Sequence, residues 1–277
     1  MKIVITSGYP TSQHAISLLF QLKKKGFEIP CLIETSLLSI KRIRREIRHL
    51  GIKRLLNKAT ERILKKSSQE QNKELKYIKK YNIDRGINFK TTKSICNALK
   101  IKKKVVNNLN DDSSIRLLKS VAPDLVIYAG GGILREKFIE IPRIGVLNAH
   151  GGPLPFFRGM NASEWAIFFG IKPHVTIHFI DTGVDTGPII SRVPFEIDEE
   201  DDINSIRGKA TVAGVKGLID TVEKIKKGVY DLQYQNKEDG VQFFRMSSKL
   251  LSITELKLKQ GNLVEYDPKV NLSNKGA

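Results

Sequence analysis

Residues 124–132 read DLVIYAGGG. The run from Asp124 to Ala129 is almost wholly apolar, which suits a strand covered on both faces at the centre of a parallel sheet. Three glycines follow at its carboxyl end. Glycine lets backbone approach a ligand closely, and it equally lets a strand turn tightly into a helix.

The same alternation of elements extends outward. Lys2–Thr6 (KIVIT) is a short strand, Ser7–Pro10 a turn, and Ser12 caps a helix whose apolar face is Ala15, Leu18, Leu19 and Leu22, ending at Gly26. Glu28–Glu34 is a second strand, weakened by Pro30. Further helices are predicted over 92–99, 112–121, 161–169 and 203–227, and strands over 104–107, 146–150, 175–180 and 189–193. This order predicts an α/β, Rossmann-like fold: a mostly parallel sheet with helices on both faces. Residues 1–228 form the main domain, with a basic helical insert at 39–81 after the second strand. Residues 229–277 form a short extension: a hairpin (232–235 with 241–244), a short helix and a polar tail, disordered from Asn271 onward.

The 277 residues are 40% hydrophobic and 27% charged, enough for one or two domains with a real core. No apolar run reaches the ~18 residues of a membrane span. Polar residues interrupt the first twenty positions, so no secretory signal is expected. Cys31 and Cys96 read as buried free thiols, and a cytoplasmic location is expected. The net charge of +18 is uneven. Lys41–Lys66 alone holds 11 basic and 2 acidic side chains. Such a patch attracts nucleic acid, anionic lipid or a phosphorylated substrate, although a lysine-rich composition alone also produces excess charge.

The chemistry concentrates in Gly145–Pro188. Asn148 and His150 are two apart on one strand and share a side. An amide NH2 and an imidazole together suit a developing oxyanion. Asp185 sits in a loop between Gly183 and Gly187. Folded over the strand end, it adds a carboxylate that helps move a proton. The trio contains no strong nucleophile, so direct attack by a substrate amine on an acyl carbon is expected. His178 reads as structural or supporting, and His174 as a surface residue. No metal is expected, because the histidine spacing is poor for ligation.

The run GVLNAHGGPLPFFRGMNASEWAI and the later VTIHFIDTGVDTGPII resemble the folate-dependent formyltransferase family, which includes glycinamide ribonucleotide transformylase, methionyl-tRNA formyltransferase and sugar-nucleotide N-formyltransferases. The resemblance is specific over 124–195, extends to 1–34 and is much weaker over 39–105. It implies that Asn148, His150 and Asp185 are catalytic and that 10-formyltetrahydrofolate is the formyl donor. It places the pterin against Gly130, Gly131, Gly132, Ile133 and Leu134 and against Asp181, Thr182, Gly183 and Val184. The acceptor it implies is a small-molecule amine, with an amino sugar linked to a nucleotide as the leading candidate.

This chain departs from the family at three places. Gly152 stands where a serine is frequent. The first loop, Ser7–Ser12, lacks the glycine- and asparagine-rich phosphate loop of the glycinamide ribonucleotide enzyme. Fifty residues follow Lys227, fewer than the barrel domain of the tRNA enzyme needs. Phe156, Phe157 and Trp165 are available to stack on a sugar or base, with core packing favoured for Trp165, and Arg158-Gly159 reads as fixing the loop. The competing readings are a formyltetrahydrofolate hydrolase and a non-enzymatic nucleic-acid-binding protein that uses the basic insert.

Overall fold

A computed structural model describes residues 1–36 and 69–267. A seven-stranded sheet forms the centre, in the order β3-β2-β1-β4-β5-β7-β8. Its strands are β1 (Ile3–Ser7), β2 (Cys31–Thr35), β3 (Lys102–Val106), β4 (Leu125–Ile127), β5 (Gly145–His150), β7 (Val175–Phe179) and β8 (Ile189–Val193). The first five run parallel, and β7 and β8 form an antiparallel edge. As the apolar DLVIYA run predicts, β4 is the middle strand.

Alternate residues of the strands enter different layers. Ile3, Ile5, Leu125, Ile127, Leu147, Val175 and Ile177 pack on one face, with α1 (Gln13–Lys24) and α7 (Ile203–Lys227). That layer also takes in α2 (Gln69–Ile83) and α3 (Thr92–Ala98). Val4, Ile33, Val126 and Val146 pack on the other, with α4 (Asp112–Val121) and the short α5 (Glu136–Ile139). Period-2 side-chain direction inside continuously apolar strands thus builds a three-layer molecule. Ser12 caps α1 by accepting from Ala15 N, and Asp202 caps α7 by accepting from Ser205 N. Gly217 in α7 lets Ile177 and Val193 approach within 3.0 Å and 2.6 Å of where a Cβ would stand.

Three expectations need correction. The hairpin at 232–244 does not form. Instead β9 (Val241–Phe243) pairs in parallel with β6 (Phe157–Gly159), and Gln233 makes one isolated bridge to Ile189. The 151–159 loop therefore contains a strand that its glycines and prolines concealed. The helix expected to be short, α8 (Ser248–Gln260), has 13 residues and packs on α6 (Ala162–Phe168). Of the 39–81 insert, Gln69–Tyr81 lies within α2. The Lys41–Lys66 cluster lies outside the described residues, as does the tail from Asn271.

Candidate active site

β4 stops at Ile127, opposite Leu147, while β5 continues to His150. Asn148, Ala149 and His150 therefore pair only with β7, on one side. The register Asn148↔His178 and His150↔Thr176 puts these four side chains on one face, opposite Ala149 and Ile177. A register break between Ile177 and His178 in the β7–β8 ladder marks a bulge beside His178.

The loop after β7 turns back over this strand end and delivers Asp185, whose Oδ2 lies 3.3 Å from His150 Nδ1. Asp185 adopts a left-handed conformation (φ 54°), which aspartate tolerates better than most residues. Gly159 N donates to the same Oδ2 at 2.9 Å. Asp185 Oδ1 lies 3.6 Å from His178 Nε2, an electrostatic contact rather than a hydrogen bond. Burial works to raise the Asp185 pKa. His150, His178 and the Gly159 amide outweigh it and hold the carboxyl well below the usual range, so it is ionised.

His150 Nε2 lies 2.7 Å from the Phe157 carbonyl. A carbonyl only accepts, so Nε2 carries the proton, and Nδ1 faces Asp185. Burial drives the imidazole toward its neutral form and lowers its pKa, while Asp185 opposes that shift. The pair is a proton acceptor in waiting: Nδ1 has a lone pair beside a carboxylate that would stabilise the imidazolium. His178 Nδ1 donates to the Phe179 carbonyl at 2.7 Å, leaving Nε2 to accept from Asn148 Nδ2 at 3.1 Å. That bond uses one amide hydrogen and aims the other. The sequence reading of His178 as a supporting residue is consistent with this geometry. His174, expected at the surface, is buried with its ring 6.0 Å from Tyr266, and burial pushes it down to about 4. The extension that brings Tyr266 over it is not visible in local sequence.

The turn 151–155 is tied to β7. Thr176 Oγ1 donates to Gly152 O at 2.8 Å and accepts from Leu154 N at 3.2 Å. A Cβ on Gly152 would collide with the Ala162 Cβ and stand 3.1 Å from its carbonyl carbon. The missing serine is therefore the packing counterpart of Ala162. Trp165 and Phe156 join Phe157, Phe169 and Phe243 in an aromatic cluster, and Trp165 Nε1 donates to Phe244 O at 2.9 Å. These rings are used in packing, in line with the expectation for Trp165.

Beside His150 opens a cavity of about 350 Å³, lined among others by Ala149, Gly159, Glu74, Glu164 and Arg207. Glu164 is fixed by Arg207 Nη2 at 2.6 Å and by Asn161 Nδ2 at 2.6 Å. Among the described residues Glu74 has no hydrogen-bond partner, and burial raises its pKa, with Arg207 opposing. His14 also lines the cavity; its buried Nε2 has no partner among the described residues, and burial pushes its pKa down to about 4. Sequence reasoning missed these four residues. Glu164 is three residues after Asn161, a spacing that signals a helix-start pair, whereas Glu74 and His14 belong to no motif.

The expected donor-binding segments divide into held and open groups. Gly130, Gly131 and Gly132 all have positive φ (103°, 130° and 93°), and a Cβ on Gly131 would meet Leu109 at 2.5 Å. Gly130 O accepts from Thr6, Gly132 O from Tyr128, and Ile133 O from Asn110. Ile133 is 86% exposed and Val184 41% exposed, while Leu134 is buried. Gly183 N and the Thr186 hydroxyl both donate to Asp181 Oδ1, which closes the 181–186 turn on itself. Ile180 and Leu134 pack in one cluster, so both segments stand at the same end of the sheet.

A methionyl-tRNA formyltransferase from Thermodesulfovibrio yellowstonii is 36% identical over 132 residues, 47% of this chain and 43% of that protein. The matched part is thus under half of that relative's length. In fold the chain is similar to a phosphoribosylglycinamide formyltransferase from Anaplasma phagocytophilum (TM-score 0.57, 19% identity, 86% of this chain and 95% of that one). It is also similar to a sugar 3N-formyl transferase solved in the presence of dTDP and 5-N-formyl-THF (TM-score 0.56, 16% identity, 94% and 79%). Residues 39–222, well over half of the chain, match the family described as formyl transferase. The chain belongs to the formyl transferase family.

Proposed function

We propose that this protein transfers the formyl group of 10-formyltetrahydrofolate to a primary amine of a small substrate, an amino sugar carried on a nucleotide. The observation that carries the reading is the convergence of Asn148, His150 and Asp185 at the free end of β5, where His150 also lines a cavity of about 350 Å³. A cavity of that size suits a sugar-sized group. Its Glu74, Glu164 and Asn161 offer acceptors to hydroxyl and amine hydrogens. The donor fits the exposed Ile133 and Val184 side chains and the main-chain groups of Leu134 and Val184, which find no hydrogen-bond partner among the described residues.

In this reading the amine attacks the formyl carbon. The new C–N bond forms as the carbonyl becomes an oxyanion, which takes the free Asn148 N–H and a ring N–H of His150. For His150 Nε2 to serve, its bond to Phe157 O is exchanged for one to substrate. The proton shed by the amine passes to the His150–Asp185 pair and is returned to the folate nitrogen as the oxyanion collapses and the carbon–folate nitrogen bond breaks, releasing the formamide and tetrahydrofolate. No acyl-enzyme is needed.

The test supplies 10-formyltetrahydrofolate with a panel of nucleotide-linked amino sugars and other amines, following tetrahydrofolate release and N-formyl product together. Amine-dependent turnover that Asn148→Ala or His150→Ala lowers by roughly 10²-fold supports the proposal. Rapid formate release without any amine makes it a hydrolase instead.

A further inference from the structure

We infer that Gln235, in the segment after α7, is a positioning residue that holds the two arms of the catalytic site at their working separation. The inference rests on the proposed function for its meaning, not for its geometry. One arm is β6. Phe157 O holds His150 Nε2, and Gly159 N holds Asp185 Oδ2. The residue between them, Arg158, directs Nη2 to Gln235 Oε1 at 3.4 Å and to Asn236 O at 2.7 Å. The other arm is the Asp185 loop. Gln235 Nε2 donates to Asp185 O at 3.2 Å and to Gly187 O at 2.5 Å. A single primary amide, using both its acceptor and its donor ends, therefore joins the strand that holds the imidazole to the loop that carries the carboxylate.

The surroundings of Gln235 make this tie stiff. Two residues earlier, Gln233 and Ile189 exchange both backbone bonds at 2.8 Å, anchoring the segment to β8. Six residues later β9 begins its parallel pairing with β6, and Met160 N donates to Phe243 O at 2.9 Å. A Cβ on Gly159 (φ 90°) would collide with that same Phe243 oxygen, so the two strands meet with no slack. Gln235 is thus held from both sides, and its amide has little freedom to follow the Asp185 loop if that loop drifts.

The ionisable groups facing His150 are Asp185 from the loop, His178 from β7 and His174 just before β7; Arg158 adds its charge near Asp185. Of these ionisable groups only Asp185 favours the imidazolium, and the Phe157 carbonyl acts in the same direction, so loosening either arm lowers the His150 midpoint. The test follows the proton titration of each histidine by NMR, assigning His150 by the signal lost in His150→Gln. Gln235→Leu removes both ends of the amide without adding charge. Gln235→Met keeps the bulk with no hydrogen bond. Both are expected to lower the His150 midpoint by at least about half a unit, in the direction of the Asp185→Asn control, while the His14 midpoint stays put. In turnover both are expected to lose roughly tenfold in kcat, with KM for the donor within about twofold.

A His150 midpoint unchanged in both folded variants overturns the inference. So does a common shift of all the histidines, or failure of both variants to fold, because either assigns Gln235 to general stability. If no amine is formylated by the native protein, the proposed function fails, and the titration still decides the role of Gln235.

Discussion

Asp185 Oδ2 stands 3.3 Å from His150 Nδ1 while the backbone of Asp185 is left-handed, φ 54°. The carboxylate beside His150 is thus placed by an unusual turn, not by a regular element. Asparagine tolerates that conformation and can still accept from Gly159 N. Asp185→Asn is expected to melt within a few degrees of the native protein yet lose about 10²-fold or more in turnover, since the charge facing His150 is gone. Normal turnover in the variant would remove Asp185 from the reaction.

In the proposed reaction Asn148 acts through hydrogens that an isosteric acid lacks. Asn148→Asp would face His178 with oxygen and bring a second negative charge near Asp185. Turnover is expected to fall by roughly 10²–10³-fold, with donor binding, read by a tetrahydrofolate analogue in calorimetry, changed far less. Equal losses in binding and turnover would assign Asn148 to ground-state recognition.

Acid sensitivity follows from two buried histidines. His14 and His174 titrate near 4 in the folded protein, against about 6.5 in an unfolded chain. Between those values the unfolded state binds more protons, so stability falls as pH drops through that window. Each contributes up to about 3 kcal/mol to the loss. His14→Gln and His174→Gln should each flatten the pH dependence of urea unfolding between about pH 7 and about pH 4.5. Asp185 acts in a separate, more acidic window. Its depressed pKa gives stability above the unfolded value near 3.9, lost as the carboxyl protonates. Slopes identical to the native protein in both histidine variants would contradict this account.

Gly152→Ser restores the residue frequent in the family and should be harmful here. Its Cβ meets Ala162, and overpacking of this kind costs about 1–3 kcal/mol. The pair Gly152→Ser with Ala162→Gly should recover much of that loss, measured as the coupling in a double-mutant cycle. Additive effects would mean the two positions do not share one space.

The sequence made the sheet legible because its signals are local. The alternating layers of β1, β4 and β5, the Ser12 cap and the shared side of Asn148 and His150 follow from periodicity and capping alone. The Asp185 contact was legible as a possibility of the loop, through its flanking glycines. The β6–β9 pairing was not. Three-residue strands joined across some eighty positions leave no periodic trace, and Pro153, Pro155 and the neighbouring glycines read as loop. Glu74 was hidden for another reason: it sits among lysines of α2, where composition predicts a solvated face, and only tertiary packing turns it toward the cavity.

The bulge that β8 makes opposite Ile177 and His178, with Ile190 as its extra residue, has a consequence for how this chain tolerates insertions and deletions. Removing one residue from β7 ahead of the bulge would exchange the sides of the strand. The His178 imidazole would then enter the hydrocarbon layer under α7, and the Phe179 ring would take its place against Asn148. Length variation in this strand is therefore constrained to even steps, while the surface loops on either side are free of that parity rule.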